Sequence, residues 1–304
     1  MRHLTRAEAG SPDWPALVAA LRDGHRRPRA DVRDTFLQRD DVTLLSRAAA
    51  IDGLGMGVKS VTVMPNNAAH GWPTVQGAML VFDRVTGAPE AVVDGDLVTA
   101  WKTAADSVLG ATLLASAEPD ALLIVGAGEV AANLARAYAA VFPRIGEIRV
   151  WNRTPPRAEA LVATLRNEGI NARAVRDLAW EAGRADIITC ATMARDPILR
   201  GDWIGPGTHV DLVGAFRTDM READDALMRR AELFVDSRDT TLEHIGELAI
   251  PIAAGVIGPD DVRGDLYDLV AGRSGRSDGD AITVFKNGGG AHLDLIVARA
   301  ILDR

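Results

Sequence analysis

The stretch 121-ALLIVGAGEVAANLARAY-138 constrains this chain more than any other. An apolar run, Ala121 to Val125, leads straight into Gly126-Ala127-Gly128, and a helix-compatible run, Val130 to Ala140, follows at once. A short, continuously apolar run bounded by glycine reads as a strand buried on both faces, as in a parallel sheet. Gly126 permits the tight strand-to-helix turn, and Gly128 lets backbone approach a pyrophosphate. Ala131, at the third position of G-x-G-x-x-G/A, lets the helix pack closely on the strand. The helix start, including Glu129 and Val130, offers free N–H groups and a positive dipole end to phosphates. A second apolar strand, Ile148 to Trp151, ends in Asn152-Arg153-Thr154, roughly 20 residues on, where a ribose-reading residue belongs. A glycine pattern alone is a weak signal. Set between strand and helix, with a second strand to follow, it reads as a dinucleotide site rather than a bare tight turn.

What the second strand lacks is also informative. An NAD-selective site places Asp or Glu there to hold the ribose 2′-OH. This chain has Asn152, Arg153 and Thr154, with Arg157 just beyond. A carboxylate would repel a 2′-phosphate, whereas a guanidinium grips it bidentately. NADPH is the expected cofactor, with NADH still open; the alternative is an arginine in a solvated turn.

The chain has 304 residues, long for one core, so two domains are expected. Its 47% hydrophobic and 25% charged content suits a soluble globular protein. No apolar run reaches the roughly 18 residues of a membrane span. The start, MRHLTRAEAGSPDW, lacks the apolar core of a secretory signal. Cys190 alone excludes an internal disulfide framework and suits a reducing cytoplasm, the expected location. A net charge of −8 argues against a nucleic-acid surface, and the short basic cluster 25-HRRPR-29 does not reverse it. His70, His244 and His292 lack metal-ligand spacing, so no metal site is expected.

Residues 13 to 24 read as an amphipathic helix. Strands are expected over 41–46, 57–63, 78–83 and 90–93, with the turn-rich stretch 64-MPNNAAHGWPTVQG-77 among them. A helix from about Leu97 to Ala115 leads to Pro119. Beyond it the pattern becomes βαβ alternation, with strands at 121–125, 147–151, 172–175, 186–190, 208–213 and 233–236. A last strand and a helix over 291–302 close the chain. The expected fold is α/β: a Rossmann dinucleotide-binding domain, 119–290, inserted into an α+β substrate-binding domain, 1–118 plus 291–304.

Outside the nucleotide fold, two lysines suggest an anionic substrate. Lys59 lies mid-strand in Gly57-Val58-Lys59-Ser60-Val61, and Lys102 lies in a helix of small and apolar residues. An ammonium in such a setting must be paired or solvated. A substrate carboxylate would serve, and so would Asp106, one turn after Lys102. Thr103 and Asn66-Asn67 could add neutral donors.

These residues also carry a resemblance. The succession Gly57-Val58-Lys59, Pro65-Asn66-Asn67, Pro73-Thr74-Val75-Gln76-Gly77, Thr86-Gly87, Asp94-Gly95 and Thr99-Ala100-Trp101-Lys102-Thr103-Ala104-Ala105 resembles the ornithine cyclodeaminase/mu-crystallin family. The glycine fingerprint, Val213-Gly214-Ala215, Val235-Asp236-Ser237 and Thr283-Val284-Phe285-Lys286 continue the match in order, from about residue 30 to the end. The resemblance implies a homodimer whose substrate domains join their sheets, and a small α-amino or α-imino acid bound beside the nicotinamide. It assigns Lys59 to the substrate carboxylate and to assistance in proton transfer. It makes Lys102 a second carboxylate clamp, where the family usually has arginine. It assigns Val213, Gly214 and Lys286 to the cofactor, and an N-terminal arginine, Arg29 or Arg33, to the carboxylate.

One departure bears on the reaction. Ornithine cyclodeaminases carry Gly-Gly-Asp after the strand ending near Val213, and that Asp engages the substrate's side-chain amine. Here the chain reads Val213-Gly214-Ala215-Phe216, and alanine can neither accept a proton nor hold an ammonium. The resemblance therefore points to the ketimine reductases of the family. The expected reaction is NAD(P)H-dependent reduction of Δ1-pyrroline-2-carboxylate to L-proline, with the six-membered homologue, Δ1-piperideine-2-carboxylate, also in range. An ornithine cyclodeaminase, an alanine-dehydrogenase-like enzyme and a non-catalytic ligand-binding protein are the alternatives. Asp294 either contacts substrate or favours the dipole of its helix. Glu222, in the charge cluster 218-TDMREAD-224, reads as a helix-start residue. Gly288-Gly289-Gly290 suits close approach to the nicotinamide or a hinge.

Overall fold

A strand buried on one face alternates apolar with polar residues, and a strand buried on both faces does not. The two sheets of this protein follow those two patterns. The computed structural model describes residues 1–304, the side chain of Ala68 excepted. The chain divides into two compact units, Met1–Lys102 with Gly290–Arg304, and Thr103–Gly289. The division falls inside the helix Gly95–Leu114 rather than at the expected 118/119 boundary. A boundary within a helix leaves no linker composition to read.

In the first unit the described residues form a six-stranded sheet. Its strands are β1 (Arg2–Leu4), β2 (Asp31–Arg39), β3 (Val42–Ile51), β4 (Gly55–Val63), β5 (Val75–Phe82) and β6 (Pro89–Asp94), in the order β1-β6-β5-β4-β3-β2. β1 is parallel to β6; the other neighbours are antiparallel. Alternate residues Ala49, Ile51, Met79, Val81, Ala91 and Val93 are buried. The helix Ala291–Leu302 packs on β2 to β5 and on the helix Trp14–His25, whose Leu17 and Leu21 are buried. Asp13 caps that second helix, accepting from the Ala16 N–H at 3.0 Å, and Pro15 fits its first turn.

Strand β2 was not expected. Its sequence DVRDTFLQR does not alternate, because it is an edge strand exposed along nearly its whole length, Phe36 and Leu37 included. Periodicity reports burial, and this strand has little.

In the second unit the described residues form an eight-stranded, wholly parallel sheet. It comprises β7 (Ala121–Val125), β8 (Glu147–Trp151), β9 (Ala172–Ala174), β10 (Ile187–Cys190), β11 (His209–Leu212), β12 (Glu232–Val235), β13 (Val262–Gly264) and β14 (Thr283–Lys286). The order is β13-β12-β14-β11-β10-β7-β8-β9. β7 is buried throughout, as its continuous apolar run requires. From β7 the chain builds one way through β8 and β9, then returns to the other side for β10 and β11. That reversal is the switch point of a Rossmann fold, where the crevice at the carboxyl ends of the strands takes a ligand. The short β13, at the sheet edge, was not expected from sequence. Cys190 is a free thiol at the end of β10, and burial pushes its pKa well up. Among the described residues no helix is long and apolar enough to cross a membrane.

Leu212, fully buried in β11, lies in the core between sheet and helices. Leu212→Ala is expected to cost about 2–5 kcal/mol, read from the urea midpoint. A loss below about 1 kcal/mol would place the core elsewhere.

Candidate active site

In the second unit, the fingerprint turn is shaped as its glycines require. Gly126 has φ 124°, and a Cβ there would lie 2.5 Å from the Ala191 carbonyl oxygen, so no other residue fits. Its N–H donates to the Trp151 carbonyl at 2.8 Å, tying the turn to the end of β8. Ala127 is half-buried, whereas Gly128, Glu129 and Val130 are exposed at the start of the helix Glu129–Val141. No side chain caps that helix, and no heavy atom lies within 4 Å of where a Gly128 Cβ would be. An open cradle above an uncapped helix N-terminus fits a pyrophosphate.

At the end of β8, the Asn152 amide donates to the Thr154 carbonyl at 3.0 Å, and Thr154 begins the helix Pro155–Asn167. Arg153 and Arg157 are exposed. Among the described residues neither makes an ion pair or a side-chain hydrogen bond.

The turn after β11 is equally tight. Val213 is buried, and a Cβ on Gly214 would lie 1.9 Å from the Thr192 carbonyl oxygen. Ala215 is fully buried against Met220 and Ile245, so the position has an apolar setting as well as an apolar side chain. Phe216 is exposed. Lys286 departs from the expected cofactor contact. It is wholly buried, and its ammonium donates to the Leu212 carbonyl at 2.8 Å, in the field of Asp211, Glu222 and Glu247. The side chain thus ties β14 to β11 from inside the protein. Thr103 is half-buried, its carbonyl accepting from the Asn287 amide at 3.0 Å.

In the first unit, the register of the sheet sets a row of directly opposed residues: Asp34, Arg47, Lys59, Met79 and Val93. Opposed residues share a face. The Lys59 ammonium donates to Asp294 Oδ1 at 2.6 Å and to Thr99 Oγ1 at 3.3 Å. Arg47 pairs with Asp34 at 2.8 Å. Arg33 is opposed to Ala48, on the other face of the sheet, and therefore cannot flank Lys59. Arg29 precedes β2 and acts electrostatically on His292. It is the one of the two expected arginines that reaches this cluster.

The cluster is rich in positive charge. Lys59 is nearly fully buried; burial lowers its pKa, Asp294 opposes that shift, and Lys102 and Arg47 add to it. Lys102 is 6% exposed, and among the described residues its side chain makes no ion pair or hydrogen bond. His292 is driven well below the usual imidazole range by burial, then by His25, Lys102, Arg47 and Arg29. Its ring meets that of His25 edge-on at 5.3 Å. Asp294 is fully buried, and its second oxygen, Oδ2, has no hydrogen-bond partner among the described residues. With Lys59 paired to Asp294 and Arg47 to Asp34, the buried Lys102 ammonium is left for an anion, and Asp294 Oδ2 for a donor.

Sequence reading singled out Lys59, Lys102 and Asp294 but passed over Arg47 and His25. Arg47 carries no motif; only the β3–β4 register reveals it. Asn66 lies exposed in the 3-10 helix Pro65–His70 after β4, with its amide on Asp41. No hydrogen bond joins it to the Lys59 cluster among the described residues. No group of His, Cys, Asp or Glu able to hold a metal ion occurs among the described residues.

The chain is similar to several known proteins. The chain is 58% identical over 293 residues to a Δ1-pyrroline-2-carboxylate reductase of Paracoccus denitrificans, covering 96% of this chain and 93% of that one. It is similar to the structure of the Δ1-pyrroline-2-carboxylate reductase of Thermococcus litoralis in complex with NADH and L-proline. That likeness has a TM-score of 0.91 at 28% identity, covering 100% and 97% of the two chains. It is also similar to an archaeal alanine dehydrogenase dimer with bound NAD, at TM-score 0.89 and 27% identity over 100% and 95%. The profile of the ornithine cyclodeaminase/mu-crystallin family matches residues 31–304, and the chain belongs to that family.

Proposed function

We propose that this protein is an NAD(P)H-dependent reductase of cyclic ketimines, converting Δ1-pyrroline-2-carboxylate to L-proline and the six-membered homologue to L-pipecolate. The observation that carries this reading is the pair of buried lysines, Lys59 and Lys102, with the half-buried Arg47 in register beside Lys59 and with Asp294, on Lys59, using only one of its two oxygens. Its charge suits a small substrate with a carboxylate and a protonated ring nitrogen. The 58% identity to a Δ1-pyrroline-2-carboxylate reductase supports the same substrate.

The chain's residues divide the work. Lys59 and Lys102 hold the substrate carboxylate. Asp294 Oδ2 accepts from the ring N–H, favouring the iminium over the neutral imine. The bound nicotinamide supplies a hydride to the imine carbon. Where the imine arrives neutral, Lys59 donates the proton to its nitrogen, a task made easier because burial lowers its pKa. Ala215, buried and apolar, offers nothing to the amine of an open-chain diamino acid, so ring closure with loss of ammonia has no group to direct it.

The cofactor lies on Gly126, Ala127, Gly128, Glu129 and Val130, with Val213 and Gly214 lining the neighbouring turn. Arg153 and Arg157, both exposed, with Asn152 and Thr154 between and beside them, favour NADPH over NADH. The sheet unit serves for substrate binding and dimerisation. The exposed Phe36 and Leu37 on edge strand β2 suit a homodimer contact, and a related alanine dehydrogenase is a dimer. The lone free cysteine suits the cytoplasm.

Lys59→Met is expected to lower kcat/KM for the imine by about 100-fold or more, while NADPH binding stays unchanged. Undiminished turnover would remove Lys59 from the reaction. In the unaltered enzyme kcat/KM should fall as pH rises through the pKa of Lys59, below the ordinary lysine range, because only the ammonium holds a carboxylate and donates a proton. An Arg153→Ala, Arg157→Ala double variant should weaken NADPH by about tenfold or more and leave NADH nearly unaffected. Equal losses for both cofactors would overturn the assignment to the 2′-phosphate.

A further inference from the structure

Glu222 is fully buried in the second unit, yet it begins no helix. Asp224 does that instead, accepting from the Leu227 N–H at 3.0 Å. The Glu222 carboxylate reaches two turns at once. Oε1 accepts from the Thr192 N–H and the Thr192 hydroxyl, both at 2.7 Å, in the turn after β10. Oε2 accepts from the Gly214 N–H at 2.6 Å, in the turn after β11. Glu222 is itself held in place. Its N–H and that of Ala223 donate to the Glu247 carboxylate at 2.8 and 3.0 Å, and its carbonyl accepts from Ile198 and Leu199.

These turns bound the crevice. β10 is the strand beside β7 across the switch point, and its turn supplies the Ala191 carbonyl that a Gly126 Cβ would strike. The next turn is packed so closely on Thr192 that only glycine fits at Gly214. One carboxylate therefore sets the spacing of two turns, and through Ala191 that of the glycine fingerprint.

We propose that Glu222 is a positioning residue for the dinucleotide: it clamps the turns after β10 and β11 in the spacing that admits the cofactor. This rests on the nucleotide reading above. The clamp also has a charge state that can change. Burial and the neighbouring Glu247 push Glu222 up to about 8, against the opposing charge of Lys286 and its hydrogen bonds to Thr192. Cys190 faces both carboxylates, Arg221 acts on Glu247, and Asp211 lies in the field of Cys190. The carboxylate accepts from both turns, whereas the protonated form has one oxygen occupied by its own hydrogen. Cofactor affinity should therefore rise with pH through this titration.

The test is the dissociation constant for NADPH, read from nucleotide fluorescence between neutral and alkaline pH. Glu222→Gln replaces one acceptor oxygen with an NH2 group and can no longer serve both turns. It is expected to weaken NADPH by about tenfold and to flatten the rise with pH, while the imine KM at saturating cofactor stays unchanged. Thr192→Val removes only the hydroxyl contact and should weaken NADPH by about threefold. It decides the matter if Glu222→Gln does not fold. Wild-type affinity and pH profile in the folded variants would overturn the clamp. An unaltered chain that binds neither NADPH nor NADH would overturn the nucleotide reading, and the clamp with it.

Discussion

The ion pair between Lys59 and Asp294 is the interaction on which the first unit depends. The two residues are 235 positions apart in sequence, and their side-chain atoms meet at 2.6 Å with almost no solvent exposure. An unpaired ammonium in that position would be costly enough to lose its proton or expel its strand. The helix Ala291–Leu302 brings the required carboxylate to β4 and at the same time covers the apolar face of the sheet. Packing and charge thus impose the same return of the chain. The pair is also unequal in its bonding, because one Asp294 oxygen is taken and the other is not. A purely structural salt bridge would be expected to satisfy both.

The second unit rests on a different constraint, the reversal of strand order beside β7. It puts an uncapped helix start, two glycine turns and two exposed arginines along one edge of a parallel sheet. None of these groups performs chemistry. As proposed above, they would present N–H donors and positive charge to a nucleotide, and the carboxylate of Glu222 spans two of the turns. The division of labour is the usual one for a cofactor enzyme: chemistry from the cofactor, orientation from the protein.

How far the sequence reveals this can be followed residue by residue. The run Ala121–Val125 and its glycines are legible because a doubly buried strand and a tight turn each demand particular side chains. Lys59 is legible because a lysine amid apolar residues needs an explanation. Strand β2 is not, since an exposed edge strand has no periodicity to show. Arg47 is hidden because its importance comes from register with Lys59, a relation between strands rather than a local pattern. Glu222 is misread as a helix-start residue because its short-range context is acidic and polar. Its actual partners, Thr192 and Gly214, lie in turns that sequence does not place together. Lys286 is placed at the cofactor by the family resemblance alone, whereas here the Leu212 carbonyl takes its ammonium.

In this enzyme the cofactor is consumed as a reductant of a cyclic imine, a property that the fate of the transferred hydride decides. It is tested most directly by supplying NADPH deuterated at both nicotinamide C4 positions together with Δ1-pyrroline-2-carboxylate, and locating the label. The expected product is L-proline carrying one deuterium at C2 for each NADPH oxidised. Proline formed from ornithine with release of ammonia and no net oxidation of NADPH, or unlabelled proline from the imine, would contradict it.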